Sequence, residues 1–481
     1  MKTIINIFAL LFIFIGFNSC MDEYTEVFTA NSPVYLSFED LRKSVKSTSA
    51  TDLENPGKIY FKDGYIFVNE QMKGIHIIDN RNPRSPQNLK FIEIPGNVDI
   101  AVKNNILYAD SYIDLVAIDI SDISNPKEVN RIKDVFPYMT PPPANEEYRL
   151  ASVDKEKGVV IDWEIKKIRQ EIEYHYYPNY LRFGYAESDM LFNAGSGAQG
   201  QAGNSFGIGG SMARFGLYDD YLYAVDNATL YTFDVKSPEK PKDIGKQNIG
   251  WDIETMFIYD KHMFLGTQTG MQILSLKVPT AIDYIGKFRH VTSCDPVVIS
   301  NGYAYVTLRG GNVCGSNTNR LDVLKLSADY KNNELLASYP MTGPYGLGID
   351  DQTLFICDGD DGLKIYDAED KLHIDDHQIA RFADIKTFDV IPFDGYLFMI
   401  GSDGFYQYDY SDLQNIQQIS FIPVKKKNWS KTKTPLTMKK TILLILFFAT
   451  FTSVWAQKQK VHVHLKNGSV IKGKLVEPLS P

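Results

Sequence analysis

The chain lacks two short motifs that mark common catalytic and nucleotide-binding sites. Neither an H-E-x-x-H zinc motif nor a G-x-x-x-x-G-K-[ST] phosphate-binding loop occurs in its 481 residues. An excess of basic residues is also missing, since 50 lysines and arginines stand against 59 aspartates and glutamates, a net charge of −9. Nucleic-acid binding requires a positive surface for the phosphates, so we expect no nucleic-acid partner.

What the sequence does contain is one short phrase repeated seven times. Each copy has an aromatic-rich run, a small polar turn and a second alternating run, and the copies occupy residues 64–79, 105–119, 220–234, 261–275, 302–325, 353–367 and 395–409. Their last residues are 40, 115, 41, 50, 42 and 42 positions apart. A period near 40 built from alternating strands is typical of four-stranded propeller blades. The sequence therefore predicts an all-β fold, a seven-bladed β-propeller over residues 57–424.

The step of 115 contains an insertion at residues 137–212. We expect it to project from the ring as an extra hairpin and a glycine-rich loop, although a degenerate eighth blade built from residues 147–165 stays open. Gly195, Gly197 and Gly200 form a G-x-G-x-x-G pattern. That pattern indicates dinucleotide binding only between a strand and a helix, a context that this segment lacks, so no cofactor is predicted.

One copy of the phrase resembles a known family. The segment DLVAIDISDISNPKEV (Asp114–Val129) is similar to the LVIVD repeat of bacterial and archaeal cell-surface proteins, and the other six copies are more diverged versions. The resemblance implies a propeller at the cell surface. It implies no particular reaction.

The N-terminus predicts export and a lipid anchor. Residues 1–19 have one lysine and then an apolar stretch, as in a signal peptide, and Cys20 follows at the expected cleavage point. The arrangement resembles the lipobox of bacterial lipoproteins, which implies a lipid on Cys20 and a place in the cell envelope, at the outer membrane. The alternative is an ordinary cleaved signal peptide. Residues 20–56 are a tether whose PVYLSF segment is expected to add a strand to the first or last blade and so close the ring, with a disordered tether as the alternative.

The remaining cysteines belong to the repeats. Cys294 and Cys314 flank a strand pair within one blade, and an oxidising compartment favours a disulfide between them, with two separate thiols as the alternative. Cys357 lies in an apolar strand and is predicted to be an inert core residue.

Two segments resemble metal sites superficially. The DGDDG segment at Asp358–Gly362 is similar to a calcium loop but is followed at once by a strand, so we predict a hairpin turn. His373 and His377 are four residues apart without a third ligand, which favours a solvated loop. No catalytic residue, cofactor site or metal ligand is nominated.

The C-terminal residues 425–481 are unlike the repeats. Met438–Gln457 has a dibasic start, an apolar core and a small-residue end, as in a second signal peptide. Two adjacent genes read as one chain would explain this, whereas the alternative is a transmembrane tail. We expect a separate apolar helix there.

The sequence as a whole indicates a lipid-anchored module, periplasmic or surface-exposed, that binds an unidentified protein or glycan. A hydrolase or lyase with its site in the central channel is the alternative.

Overall fold

A computed structural model describes residues 25–171, 208–250, 253–289, 296–310, 318–425, 460–464 and 470–474. They fall into two compact units. The larger unit is drawn from residues 36–142 and 180–432, and the smaller from residues 1–35, 143–179 and 433–481. Nearly all regular structure is β, which confirms the predicted fold class.

The elements are given in chain order. Before the first repeat lie β1 (Thr25–Leu36), the short helix α1 (Phe38–Leu41) and β2 (Lys46–Ser49). The first sheet contains β3 (Pro56–Lys62), β4 (Tyr65–Glu70), β5 (Gly74–Asp79) and β6 (Gln87–Glu93). The second sheet contains β7 (Ile100–Lys103), β8 (Ile106–Ser111), β9 (Asp114–Asp119) and β10 (Lys127–Ile132). The insertion contributes β11 (Arg149–Leu150), a 3-10 turn (Lys155–Lys157), β12 (Val159–Glu171) and β13 (Ile208–Gly209).

Five further sheets follow. The third contains β14 (Phe215–Tyr218), β15 (Tyr221–Val225), β16 (Thr229–Asp234) and β17 (Lys242–Asn248), and the fourth β18 (Ile253–Tyr259), β19 (His262–Thr267), β20 (Gly270–Ser275) and β21 (Asp283–Arg289). The fifth contains β22 (Val297–Ser300), β23 (Tyr303–Leu308), β24 (Arg320–Lys325) and β25 (Glu334–Pro340). The sixth contains β26 (Leu347–Asp350), β27 (Thr353–Cys357), β28 (Leu363–Asp367) and, after a 3-10 turn (Ile374–His377), β29 (Gln378–Phe382). The seventh contains β30 (Thr387–Phe393), β31 (Tyr396–Gly401), β32 (Gly404–Asp409) and β33 (Gln417–Pro423), and β34 (Lys460–His464) and β35 (Val470–Lys474) form a separate hairpin.

The sheets of the larger unit are arranged as a closed ring. Within each sheet the four consecutive strands are hydrogen-bonded in antiparallel order. The first strands of successive sheets contact one another from β3 through β7, β14, β18, β22 and β26 to β30, and β30 in turn contacts β3. Antiparallel four-stranded sheets placed radially around their first strands make a β-propeller.

Local sequence accounts for the repeated hairpins. The turn between first and second strands carries an Asp or Asn in the left-handed region, which these residues tolerate better than other non-glycine types; the positions are Asp63, Asn104, Asp219, Asp260, Asn301, Asp351 and Asp394. Each third strand ends at the residue that closes the repeated phrase. There the side chain accepts a hydrogen bond from the backbone N–H two residues later and stops the strand, as at Asp79, Asp119, Asp234, Ser275, Asp367 and Asp409.

One aromatic side chain per sheet is fully buried in the second strand. The seven are Phe67, Tyr108, Tyr223, Phe264, Tyr305, Phe355 and Phe398. Two of the tyrosines also bond to the next sheet, because the Tyr108 hydroxyl donates to the Pro238 carbonyl at 2.8 Å and the Tyr223 hydroxyl donates to the Pro279 carbonyl at 2.9 Å. These aromatic side chains therefore help to hold neighbouring sheets together as well as filling the core.

The segment before the first repeat does not close the ring as expected. Strand β1, which contains most of PVYLSF, lies between β11 and β12 in the three-stranded sheet of the smaller unit. That expectation was wrong because alternation identifies a strand without identifying its partner. Strand β2 instead joins the ring, where it pairs with β6 at the outer edge of the first sheet.

The two ends of the ring region meet at a short clamp. Leu53 forms a parallel bridge with Val424, and the Lys425 N–H donates to the Leu53 carbonyl at 2.7 Å. The Lys425 ammonium also contacts the Asp52 carboxylate at 2.7 Å. Residues just before the first sheet are thereby joined to residues just after the seventh.

Buried asparagine organises the smaller unit. The Asn31 side-chain amide donates to the carbonyls of Asn145 and Tyr148 at 2.8 and 2.7 Å, and its oxygen accepts from the Asn145 N–H. Residues 147–165, weighed as an eighth blade, provide β11 and the beginning of β12 in this unit.

After residue 425, the structure describes only residues 460–464 and 470–474 of the C-terminal segment. Residues 438–456, expected to form an apolar helix, lie outside the described residues. In the part of the chain that the structure describes, no helix is long and apolar enough to cross a membrane.

Candidate functional site

The seven sheets present equivalent positions to the centre of the ring. Each first strand begins close to the residue that lies five positions before the Asp or Asn of its first turn. The first strands of neighbouring sheets contact each other. The residues at these positions are Lys58, Asp99, Arg214, Thr255, Pro296, Gly346 and Asp389. Four of them carry charge, and around the ring they alternate in sign. We call Asp389, Lys58, Asp99 and Arg214 the charged arc and the other three positions the neutral arc.

A buried ion pair lies at the middle of the charged arc. The Lys58 ammonium contacts the Asp99 carboxylate at 2.5 Å, with side chains only 5% and 2% exposed. The same carboxylate oxygen accepts hydrogen bonds from the backbone N–H groups of Arg214 and Phe215. Burial lowers the pKa of Lys58, and the Asp99 charge opposes that change. Asp99 thereby fixes the start of the third sheet against the first two.

Asp389 is a buried carboxylate with incomplete hydrogen bonding. Its Oδ1 accepts from the N–H and hydroxyl of Ser211 at 2.9 and 3.0 Å and from the N–H of Val390 at 2.9 Å. Its Oδ2 has no partner among the described residues. Burial raises the pKa of Asp389 to about 7. A side chain at Gly210 or Gly346 would collide with this carboxylate, so both glycines are needed for its close packing.

The end of the insertion returns to this charged centre. Strand β13 pairs with β3 on the inner side of the first sheet, with Ile208 opposite Phe61, and the Gly210 N–H donates to the Ile59 carbonyl. The Ser211 hydroxyl then accepts from the Leu347 N–H at 2.7 Å. The insertion over residues 137–212 thus ends inside the ring. Its loop composition does not indicate that placement.

A pocket opens beside the charged arc between the second and third sheets. It has a volume of about 60 Å³. Its apolar wall includes Met72, Tyr112, Phe136 and Met139, while Asp110 and Arg214 provide polar groups. Phe136 and Met139 come from the chain directly after the second sheet. Apolar walls with a few converging polar groups are typical of small-molecule sites.

The wall of the pocket is held in place by neighbouring structure. The N–H groups of Val135 and Phe136 donate to the Ile113 carbonyl at 2.9 Å. The Phe136 ring packs edge-on against Tyr231, with ring centroids 5.3 Å apart. Gly96, at a φ of +80°, allows the Tyr112 ring to lie directly on the backbone, since a Cβ there would come within 2.4 Å of that ring.

Asp110 is a pocket carboxylate with a raised pKa. Its Oδ1 accepts from the Asn97 side chain and from the N–H groups of Val98 and Asp99, at 2.8 to 2.9 Å. Burial raises the pKa of Asp110 to about 6 even though those hydrogen bonds favour the ionised form. The carboxyl group is therefore partly protonated near neutral pH.

The residues singled out from sequence lie elsewhere. Cys20, Cys294 and Cys314, and the glycine pattern at 195–200, fall outside the described residues, so the lipid anchor and the disulfide stay predictions. Residues 203–207 read GNSFG, which matches the G-x-S-x-G pattern of some hydrolases, and also fall outside them. Cys357 is fully buried with a free thiol, as predicted, and burial raises its pKa.

The two metal-like segments are held by ordinary contacts. Asp358, in the DGDDG turn, accepts from the N–H groups of Thr342 and Gly343 and pairs with Lys364 at 2.6 Å. His373 is paired with Asp370 at 2.8 Å, and the side chains of His373 and His377 are exposed. Among the described residues, no cluster of three or more potential metal ligands occurs.

Sequence reasoning missed the charged arc altogether. The closing Asp of each repeat aligns the second and third strands but carries no information on the first strand. Counting back five residues from the Asp or Asn of the first turn would have brought Lys58, Asp99, Arg214 and Asp389 to one position. Their pairing depends on ring closure, which the sequence does not display.

Comparisons with known proteins add only distant likenesses. No protein-family model and no curated protein matches the chain. Among solved structures, Sqt1 of Saccharomyces cerevisiae is similar at a TM-score of 0.44 and 8% identity, covering 93% of this chain and all of its own. The computationally designed Ika8 protein is similar at 0.44 and 8%, covering 89% and 99%. Hsv2p of Kluyveromyces lactis is similar at 0.36 and 11%, covering 66% and 76%. Likenesses this distant transfer no function.

Proposed function

We propose that this protein is a lipid-anchored, extracytoplasmic seven-bladed propeller of the LVIVD-repeat type that binds a ligand at the outer membrane. The observation that carries the binding role is the pocket between the second and third sheets. It combines apolar walls with Asp110 and Arg214, and it lies where the insertion leaves and re-enters the ring. Loops held by a rigid scaffold commonly carry binding function.

Ring closure supports the proposal of seven blades. In the described part of the larger unit, seven sheets follow one another and the seventh contacts the first. An experimental structure with a further four-stranded sheet inserted between any two of these would contradict a seven-bladed propeller.

The alternative, a hydrolase or lyase using the central channel, has less support. Asp99 is occupied by Lys58 and two backbone N–H groups, and Asp389 binds Ser211 of the returning insertion. Both carboxylates of the charged arc therefore form contacts that hold the ring and the insertion in place.

A ligand screen with a pocket-filling variant tests the binding role. The full chain, purified in detergent, is screened by thermal shift against a library of small metabolites and oligosaccharides. We expect the wild-type protein to be stabilised by at least one compound and Met139→Trp to lose that shift, because the larger side chain occupies the pocket. Leu372→Trp is the matched control, since Leu372 is 56% exposed in an outer turn. A shift that survives Met139→Trp would contradict this pocket as the binding site.

The anchor is tested separately by metabolic labelling. We expect palmitate incorporation to disappear in Cys20→Ala and the protein to leave the membrane fraction. Retention of that variant in the membrane would instead favour residues 438–456 as the anchor.

A further inference from the structure

The Arg214 side chain brings a positive charge to the pocket. Its backbone is fixed, because the Arg214 N–H donates to Asp99 and its carbonyl accepts from the Val225 N–H at 3.0 Å. Its side-chain Nε is enclosed and has no hydrogen-bond partner in the described part of the chain. An enclosed charged donor without a partner is uncommon and calls for an explanation.

The other carboxylates of the pocket are already occupied. Asp99 holds Lys58 in the buried ion pair. Asp226 accepts from the N–H groups of Ala228 and Thr229 at 2.8 and 2.7 Å and from the Tyr231 hydroxyl at 2.7 Å. Neither carboxylate forms an ion pair with Arg214, which leaves the guanidinium able to bind an acceptor that enters the pocket.

Asp110 provides the second polar contact. Its Oδ1 is fully used by three donors, whereas no donor to its Oδ2 occurs among the described residues. A carboxylate oxygen at the edge of a pocket accepts hydrogen bonds from a hydroxyl or an ammonium group. Arg214 and Asp110 thus offer a donor and an acceptor within one apolar enclosure.

We propose that the pocket binds a small monocarboxylic acid, with its carboxylate on Arg214, a neighbouring hydroxyl or amino group on Asp110, and an apolar body against Met72, Phe136 and Met139. This inference rests on the proposed binding function. It identifies the class of ligand as an α-hydroxy or α-amino acid.

The charge of the pocket favours a carboxylate over a phosphate. Asp99, Asp110 and Asp226 all line the pocket with Arg214. Lys58 neutralises Asp99, so Asp110 and Asp226 are the carboxylates that repel an anion in the pocket. They repel a dianionic phosphate about twice as strongly as a monoanionic carboxylate, whose adjacent donor can also bind Asp110.

The test uses a matched series of small compounds, which suit a pocket of about 60 Å³, and isothermal titration of the full chain. L-alanine and L-lactate carry both groups, 2-aminopropanol lacks the carboxylate, propionate lacks the donor, and methyl phosphate replaces the acid. We expect the two complete compounds to bind most tightly. Arg214→Gln should weaken their binding by about tenfold to a hundredfold, the usual value of a charge-assisted hydrogen bond.

Two further variants separate a binding role from a folding role. Arg214→Lys keeps the charge and should retain part of the affinity, and Arg84→Gln, which removes a charge from an exposed outer turn, should leave binding unchanged. Binding of 2-aminopropanol as tight as that of L-alanine, or unchanged affinity in Arg214→Gln, would overturn the inference. If neutral compounds bind and Met139→Trp abolishes their binding, the ligand class is wrong while the binding function stands.

Discussion

The charged and neutral arcs of the ring differ although both belong to the same repeated sheet. Lys58, Asp99, Arg214 and Asp389 occupy the same position in their sheets as Thr255, Pro296 and Gly346. The charged arc adjoins both ends of the insertion and the pocket, whereas the neutral arc spans the fourth to sixth sheets. A repeated scaffold therefore does not require charge at its centre, and the charges mark the side of the ring where repetition is broken.

The largest expected effect comes from breaking the buried ion pair. Lys58→Met should lower the free energy of unfolding by about 3–5 kcal/mol, because Asp99 would stay buried without its counter-charge. The matched change in the neutral arc, Thr255→Val, should cost about 1 kcal/mol. Urea unfolding of both variants measures the difference. Equal losses would show that the two arcs contribute alike to stability.

Asp389 should make stability depend on pH in a way that the neutral arc does not. Its pKa is about 7 in the folded chain and near 4 when unfolded, so between these values the folded state binds more protons. Its contribution is complete below about pH 4 and is lost as the pH rises through 7, by at most about 4 kcal/mol. Thermal unfolding of the wild-type protein and Asp389→Asn across this range measures it. A constant difference between the two proteins would contradict the raised pKa.

A smaller effect is expected from two glycines with the same backbone angle. Gly96 lies at a φ of +80° under the Tyr112 ring, and Gly302 lies at +79° in the fifth sheet, where an added methyl group would have no heavy atom within 4 Å. Gly302→Ala should cost about 1 kcal/mol from backbone strain alone. Gly96→Ala should cost about 2–3 kcal/mol because it must also displace the ring. The denaturant midpoints of the two variants measure these losses of unfolding free energy. Equal losses would show that the Tyr112 ring moves aside without an energetic cost.

The sequence predicted the repeats better than it predicted the site. Alternating runs and turn residues located every second and third strand, since those features depend on neighbours along the chain. The partner of β1 could not be predicted, because a strand pattern does not specify which edge it joins. The raised pKa of Asp110 and Asp389 likewise depends on burial by residues distant in sequence. The turn residues indicate that Arg214 lies at the beginning of a first strand. They do not indicate that its Nε lacks a hydrogen-bond partner among the described residues.

The clamp between residues 52–53 and 424–425 has a mechanical consequence. Force applied at residues 52 and 425 would load this short parallel bridge and the Lys425–Asp52 contact before any four-stranded sheet. A few hydrogen bonds resist force far less than a complete sheet does. Under such a load the ring would therefore open first at its seam and leave the individual sheets intact.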